Sequence, residues 1–143
     1  MRKRSKKRSM PGCVLDSFAL ITYFRDEAGA DKVETLLHNA AIRHEPLHMT
    51  EVNYAEVQYI IIRKNGMAGW ESAAAHLVSL PITFHPVTRE LADTAARLKA
   101  AHRISLADAF AAALAKHRNC DLVTGDREFK LVEGELKKIR WLK

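Results

Sequence analysis

The chain has 143 residues, 48% of them hydrophobic, which suits one compact domain burying about two-thirds of its unfolded surface. No apolar stretch approaches the roughly 20 residues of a membrane span, and no apolar core follows the basic start as a secretory signal requires, so the expectation is a soluble, cytoplasmic protein without membrane contact. The formal charge of +6 is local: Arg2, Lys3, Arg4, Lys6, Lys7 and Arg8 supply six of the 23 basic residues, leaving 17 against 17 acidic ones, so the body is neutral.

Residues 1–11 begin "MRKRSKKRSM", contain nothing that joins a core, and read as a disordered basic arm. Such an arm can hold RNA phosphates by salt-sensitive attraction. It can equally be a solubilising tail, a nuclear-import-like run, or a stretch ahead of a true start at Met10.

From residue 12 to residue 143 short β-branched runs alternate with longer helical ones, the pattern of an α/β domain with a mainly parallel sheet of about five strands. "GCVLD" reads as the first strand, "SFALITYFR" as a helix opening at Ser17, and "ADKVETLLHNAAIRH" as an amphipathic helix with Val33, Leu36, Leu37 and Ala40 at 3/4 spacing. "LHMT" is the second strand. "EVNYAEVQYIIIRKNG" is a helix closed by Gly66, and "WESAAAHLVSL" another stopped at Pro81. "ITFHPV", "RELADTAARLKAAH", "ISLADAFAAALA", "CDLVTG" and "IRWLK" complete the series as strand, helix, helix, strand and strand. The connections are short, so no linker divides the body.

Cys13 and Cys120 cannot build a disulfide framework, and neither has a neighbour at zinc spacing. His38, His44 and His48 are split by Pro46, so one helix cannot present them to a metal.

Four carboxylates stand out. Asp108 lies three residues after Ser105 in "SLAD", an arrangement close to a capping box. On a helical projection, however, Leu106, Phe110 and Leu114 form one broad face suited to the core. Asp108 shares the other with Ala111, Ala112 and Ala115, a surface small without being polar, as expected of a helix packed on both sides. Asp16 and Asp126 follow strands and precede helical segments, where N-capping alone accounts for an Asp. Glu56 is in mid-helix between apolar neighbours. Glu51, five residues earlier, is about 140° around the helix and suits its first turn, whereas Asn53 shares the face of Glu56 and can orient it or touch substrate.

In an open α/β sheet, strand carboxyl ends and the first turns of the following helices converge on one crevice, so all four acids can meet. Two carboxylates about 4 Å apart repel by about 4 kcal/mol at an effective dielectric near 20. The cluster therefore requires protonation or a cation, and oxygen ligands favour Mg²⁺ or Mn²⁺ over zinc.

The segments "VLDSFALITYF", "MTEVNYAEVQYI", "ISLADAFAAALA" and "LVTGDREF", in this order, resemble the PIN-domain ribonucleases, most closely the VapC-type toxins of toxin–antitoxin pairs. The resemblance runs from about residue 12 to the C-terminus. It implies a three-layer α/β/α PIN-like fold and a Mg²⁺- or Mn²⁺-dependent endoribonuclease, with Asp16, Glu56, Asp108 and Asp126 as the catalytic and metal-binding acids. Ser105, Thr124, Asn53 and Ser17 fall in supporting positions, and Arg127 is placed to meet a phosphate or to remain a solvated charge. It further implies an RNA substrate, a small VapB-like antitoxin whose tail covers the acidic crevice, and a homodimer.

The alternatives are a non-catalytic RNA-binding or regulatory module and a PIN nuclease acting in RNA processing or on DNA. A receiver-like domain would require adjacent acidic residues after the first strand and a lysine after a late one, and the sequence has neither.

Overall fold

Strands of three or four residues, buried at successive positions, suit a parallel sheet covered by helices on both faces. The computed structural model describes residues 12–143 and has this architecture; the basic arm expected at residues 1–11 lies outside the described residues. The chain runs β1 (Cys13–Leu15), α1 (Ser17–Phe24), α2 (Ala30–Arg43), β2 (Leu47–Thr50), α3 (Glu51–Leu77), β3 (Ile82–His85) and α4 (Arg89–Ala101). It continues through α5 (Leu106–Arg118), β4 (Asp121–Thr124), a 3₁₀ helix (Arg127–Glu135) and β5 (Ile139–Trp141).

The five strands are ordered β3-β2-β1-β4-β5 and every neighbouring pair is parallel. The chain winds outward from β1 to β3, then crosses back to β4 and β5. The winding therefore reverses between β1 and β4, whose carboxyl ends frame the crevice where such sheets bind ligands.

Alternation along the strands divides the core into two layers. Val14 and Leu122 face the layer built with α4, α5 and the 3₁₀ helix, whereas Cys13, Leu15 and Val123 face the layer built with α1, α2 and α3. This is the expected three-layer α/β/α sandwich. Cys13 and Cys120, both buried free thiols, belong to opposite layers. Among the described residues no helix is long and apolar enough to cross a membrane.

The alanine-rich helix α5 is buried at every position from Asp108 to Ala115, which explains why its second face is small. Its expected large face is corrected at one end: Phe110 and Leu114 are buried, but Leu106 is 54% exposed because it occupies the first turn, beyond the sheet edge of the core. The two helices expected on either side of Gly66 are the arms of one kinked element, α3. Gly66 adopts φ 74° and ψ 176°, outside the helical region, and helix resumes directly after it rather than at Trp70. A left-handed φ there favours glycine.

The tight sheet-side packing of α5 gives a stability test. Ala112→Leu forces a larger side chain into a fully buried site and is expected to lower stability by about 1–3 kcal/mol in urea denaturation. Leu106→Ala on the same helix should change it by no more than about 0.5 kcal/mol.

Candidate metal centre

Three of the four predicted acids, Asp16, Asp108 and Asp126, are placed by the ordinary capping chemistry of helix starts, whereas Glu56 lies within α3. Asp16 leaves β1 as the N-cap of α1: its Oδ1 accepts the Ala19 N–H at 2.8 Å, and its Oδ2 accepts the Thr124 hydroxyl. Thr124 Oγ1 also accepts the Asp126 N–H at 2.9 Å, so one buried hydroxyl ties the end of β1 to the turn after β4. Asp126 in turn caps the 3₁₀ helix, its Oδ1 accepting the Glu128 N–H at 3.0 Å. Gly125 precedes it because a Cβ there would stand 2.4 Å from Phe18 Cε1; the ring occupies that space.

Asp108 lies in the first turn of α5, where Ser105 Oγ accepts its N–H at 3.1 Å. Capping and site membership thus coexist: the Asp108 backbone serves the cap, while its carboxylate lies within 4.8 Å of those of Asp126 and Glu128. Glu56 is half-buried on α3 and adds to the negative charge acting on Asp108. Glu51 is exposed in the first turn of α3.

The cluster that forms is therefore wider than expected and differently centred. Asp108, Asp126 and Glu128 are the compact triad; Asp16 and Glu56 surround it without belonging to that set. Glu128 was not among the expected residues. Its only sequence signal is an acid two positions after Asp126, which first-turn helix electrostatics already explains.

Asn53 is fully buried. Its Nδ2 donates to Ser17 Oγ at 3.2 Å and to the Ala107 carbonyl at 3.1 Å, while its side-chain oxygen accepts the Thr50 hydroxyl. Ser17 Oγ returns a bond to the Asn53 carbonyl at 3.2 Å. One amide thereby fastens α1, α3 and α5, the three helices that carry Asp16, Glu56 and Asp108. Arg127 is exposed, with its guanidinium carbon 4.8 Å from the centre of the Trp141 ring.

Burial and like charge act together on the two deepest acids. Asp16 is pushed up to about 8, first by burial, with Asp108 and Asp126 adding to it against the bonds from Thr124 and Ala19. Asp108 is pushed up to about 7 by burial and then by Asp126, Glu56 and Glu128, with the Ser105 hydrogen bond opposing. Two ionised carboxylates within 4.8 Å repel by about 3–4 kcal/mol at an effective dielectric near 20, with water screening reducing this on the exposed Glu128 side. Among the described residues none of the five acids has an ion-pair partner. An uncompensated all-oxygen cluster of this kind fits a hard divalent cation.

With this geometry in view, comparison with known proteins is informative. The sequence matches the PIN domain family over residues 13–135, from β1 through the 3₁₀ helix and hence across all five acids. No curated protein sequence matches.

Among solved structures, VapBC2 from Rickettsia felis bound to a promoter DNA fragment is 17% identical, covers 88% of this chain and 96% of its own, and superposes with a TM-score of 0.72. DNA-bound VapBC from Salmonella typhimurium is 14% identical, with coverage of 94% and 100% and a TM-score of 0.70. Mycobacterium tuberculosis VapC20, a sarcin-ricin loop cleaving toxin, is 18% identical, with coverage of 82% and 92% and a TM-score of 0.66. At such identities the structural likeness speaks for the fold, and the family rests on the sequence match: this chain belongs to the PIN domain family.

Proposed function

We propose that this protein is a Mg²⁺- or Mn²⁺-dependent endoribonuclease and the toxin of a VapBC-like pair. The observation that carries the reading is the crowding of five carboxylates at the switch point of the sheet without a cationic partner among the described residues. Such a cluster opposes folding unless protonation or a cation offsets it, and nuclease chemistry in PIN domains generally depends on a divalent metal.

Asp108, Asp126 and Glu128 would hold the ion, with Asp16 and Glu56 completing its surroundings. When bound, the ion supplies Lewis-acid polarisation of the scissile phosphodiester and offsets the charge that develops on it. Asp16 is fixed by Ala19 and Thr124 and keeps the crevice geometry. The Glu56 side chain has no hydrogen bond or ion pair among the described residues and is free to accept the proton released by the attacking water. No Ser, Cys or His nucleophile is called for.

The toxin assignment draws support from the solved neighbours, which are themselves toxin–antitoxin proteins. It brings a small VapB-like antitoxin, whose basic residue would enter the acidic crevice, and a cytoplasmic setting. Exposed Tyr59 and Met67 on α3 support a homodimer or antitoxin interface.

Two measurements test the site. Asp16→Asn, Glu56→Gln, Asp108→Asn and Asp126→Asn should each abolish Mg²⁺- or Mn²⁺-dependent cleavage of total RNA while circular dichroism stays native; full activity in all four would refute the assignment.

The second follows from the raised carboxyls. Between the ordinary Asp value of 3.8 and the folded values of about 7 and about 8, the native state binds more protons than the unfolded chain. Stability of the metal-free protein should therefore fall as pH rises through that window. Mg²⁺ should raise the melting temperature more at the alkaline end than at the acid end, and Asp108→Asn should lose most of that gain.

A further inference from the structure

The neutral body leaves open how RNA is gripped, and the turn carrying Asp126 offers a local answer. On one face of the sheet, Arg127 Cζ lies 4.8 Å and Lys130 Nζ 6.0 Å from the Trp141 ring centre. On the other, Lys143 Nζ lies 5.2 Å from the centre of the Phe18 ring, which packs on Gly125. Trp141 packs against the α4–α5 layer and Phe18 against the α1–α3 layer, so the two cation–ring pairs flank the turn from opposite sides.

All three cations are exposed, and among the described residues none is in an ion pair, although Asp126 and Glu128 lie on either side of Arg127 in the chain. That pairing matters physically. A carboxylate partner would hold a cation in place and cancel its charge, whereas an aromatic face restrains it and leaves the charge available. An arginine stacked on tryptophan also keeps its N–H fork free for a phosphate.

Building on the ribonuclease reading, we infer that Arg127 and Lys130 on Trp141, together with Lys143 on Phe18, form a cationic rim that holds the phosphates of a single-stranded RNA flanking the scissile bond. A single strand is favoured because Asp16 and Asp108 are 1% and 8% exposed. A backbone must bend into the crevice to reach them, which an unpaired loop permits and a rigid A-form duplex does not. Trp141 acts as a positioning residue through Arg127 and Lys130.

The test compares the full chain with two charge-matched double variants, R127Q/K130Q at the rim and R43Q/R118Q at the carboxyl ends of α2 and α5, which lead into the starts of β2 and β4 at the opposite end of the sheet. Binding of a labelled oligouridine is read in an Asp108→Asn background across a salt series, and cleavage kinetics are read without that substitution. R127Q/K130Q should reduce the salt slope of log affinity by roughly 0.7 for each phosphate contact removed, and raise KM more than it lowers kcat. R43Q/R118Q should leave the slope as it is. Trp141→Leu should reproduce the slope loss, and Trp141→Phe should recover most of it.

Equal slopes for the two double variants in a protein that cleaves RNA would overturn the rim alone. So would tighter capture of polyglutamate than of oligouridine. Absence of any metal-dependent RNA cleavage by the unsubstituted chain would overturn the ribonuclease reading and the rim with it.

Discussion

Mutual repulsion among carboxylates that the topology forces together is the constraint on which the rest of this structure depends. The reversal of winding between β1 and β4 brings the ends of two strands and the first turn of α5 to one place. Each arriving element needs an N-cap, and aspartate is among the best caps, so helix chemistry and metal chemistry select the same residue type at the same positions. Asp16 and Asp126 are caps in fact, and Asp108 is the residue that a cap holds. The local preferences assemble the charge; the sheet concentrates it.

Something must hold such a cluster closed when its own electrostatics push it apart. Two buried hydrogen-bond junctions do so. Thr124 joins Asp16 to the Asp126 backbone, and Asn53 joins the helices carrying Asp16, Glu56 and Asp108. Both residues are fully buried and use side-chain donors and acceptors inside the protein. In low-dielectric surroundings such bonds are stronger than in water, and a half-satisfied junction would be costly, so these links are rigid. The alanine stretch of α5 complements them, since small side chains let that helix lie between the sheet and its neighbours with Asp108 at its open end.

Much of this was legible in the sequence, and the parts that were not have identifiable causes. Strand and helix order followed from the change of hydrophobic period, and Glu56 was separable from Glu51 by helical angle alone. Leu106 was misjudged because a projection gives direction around a helix but not depth along it, and its first turn runs past the core. The helical projection places Asn53 on the face of Glu56, but only three-dimensional packing reveals that Ser17 and Ala107 take its amide N–H groups. Glu128 escaped notice because an acid in a first turn needs no further reason. Gly66 is legible as a helix stop, but not the immediate restart, because only that one residue leaves the helical region and Met67 onward is helical again.

Overall charge is a coarse guide to where cations are available. A neutral body suggests weak affinity for a polyanion, yet net charge counts cations that are already cancelled equally with those that are not. Arg25, Lys116 and Arg140 are held by Glu27, Glu135 and Asp121 and contribute little to a distant phosphate. Arg127, Lys130 and Lys143 lie instead on aromatic rings beside the acidic turn. The same short segment, Asp126 to Lys130, thus carries acids of the carboxylate cluster beside cations that have no ion-pair partner among the described residues. A site that must attract a cation and a polyanion together needs both signs within a few ångströms without mutual neutralisation. In the proposed ribonuclease, rings that restrain the cations beside a crevice in which Asp16 and Asp108 are buried would let a neutral domain meet both demands.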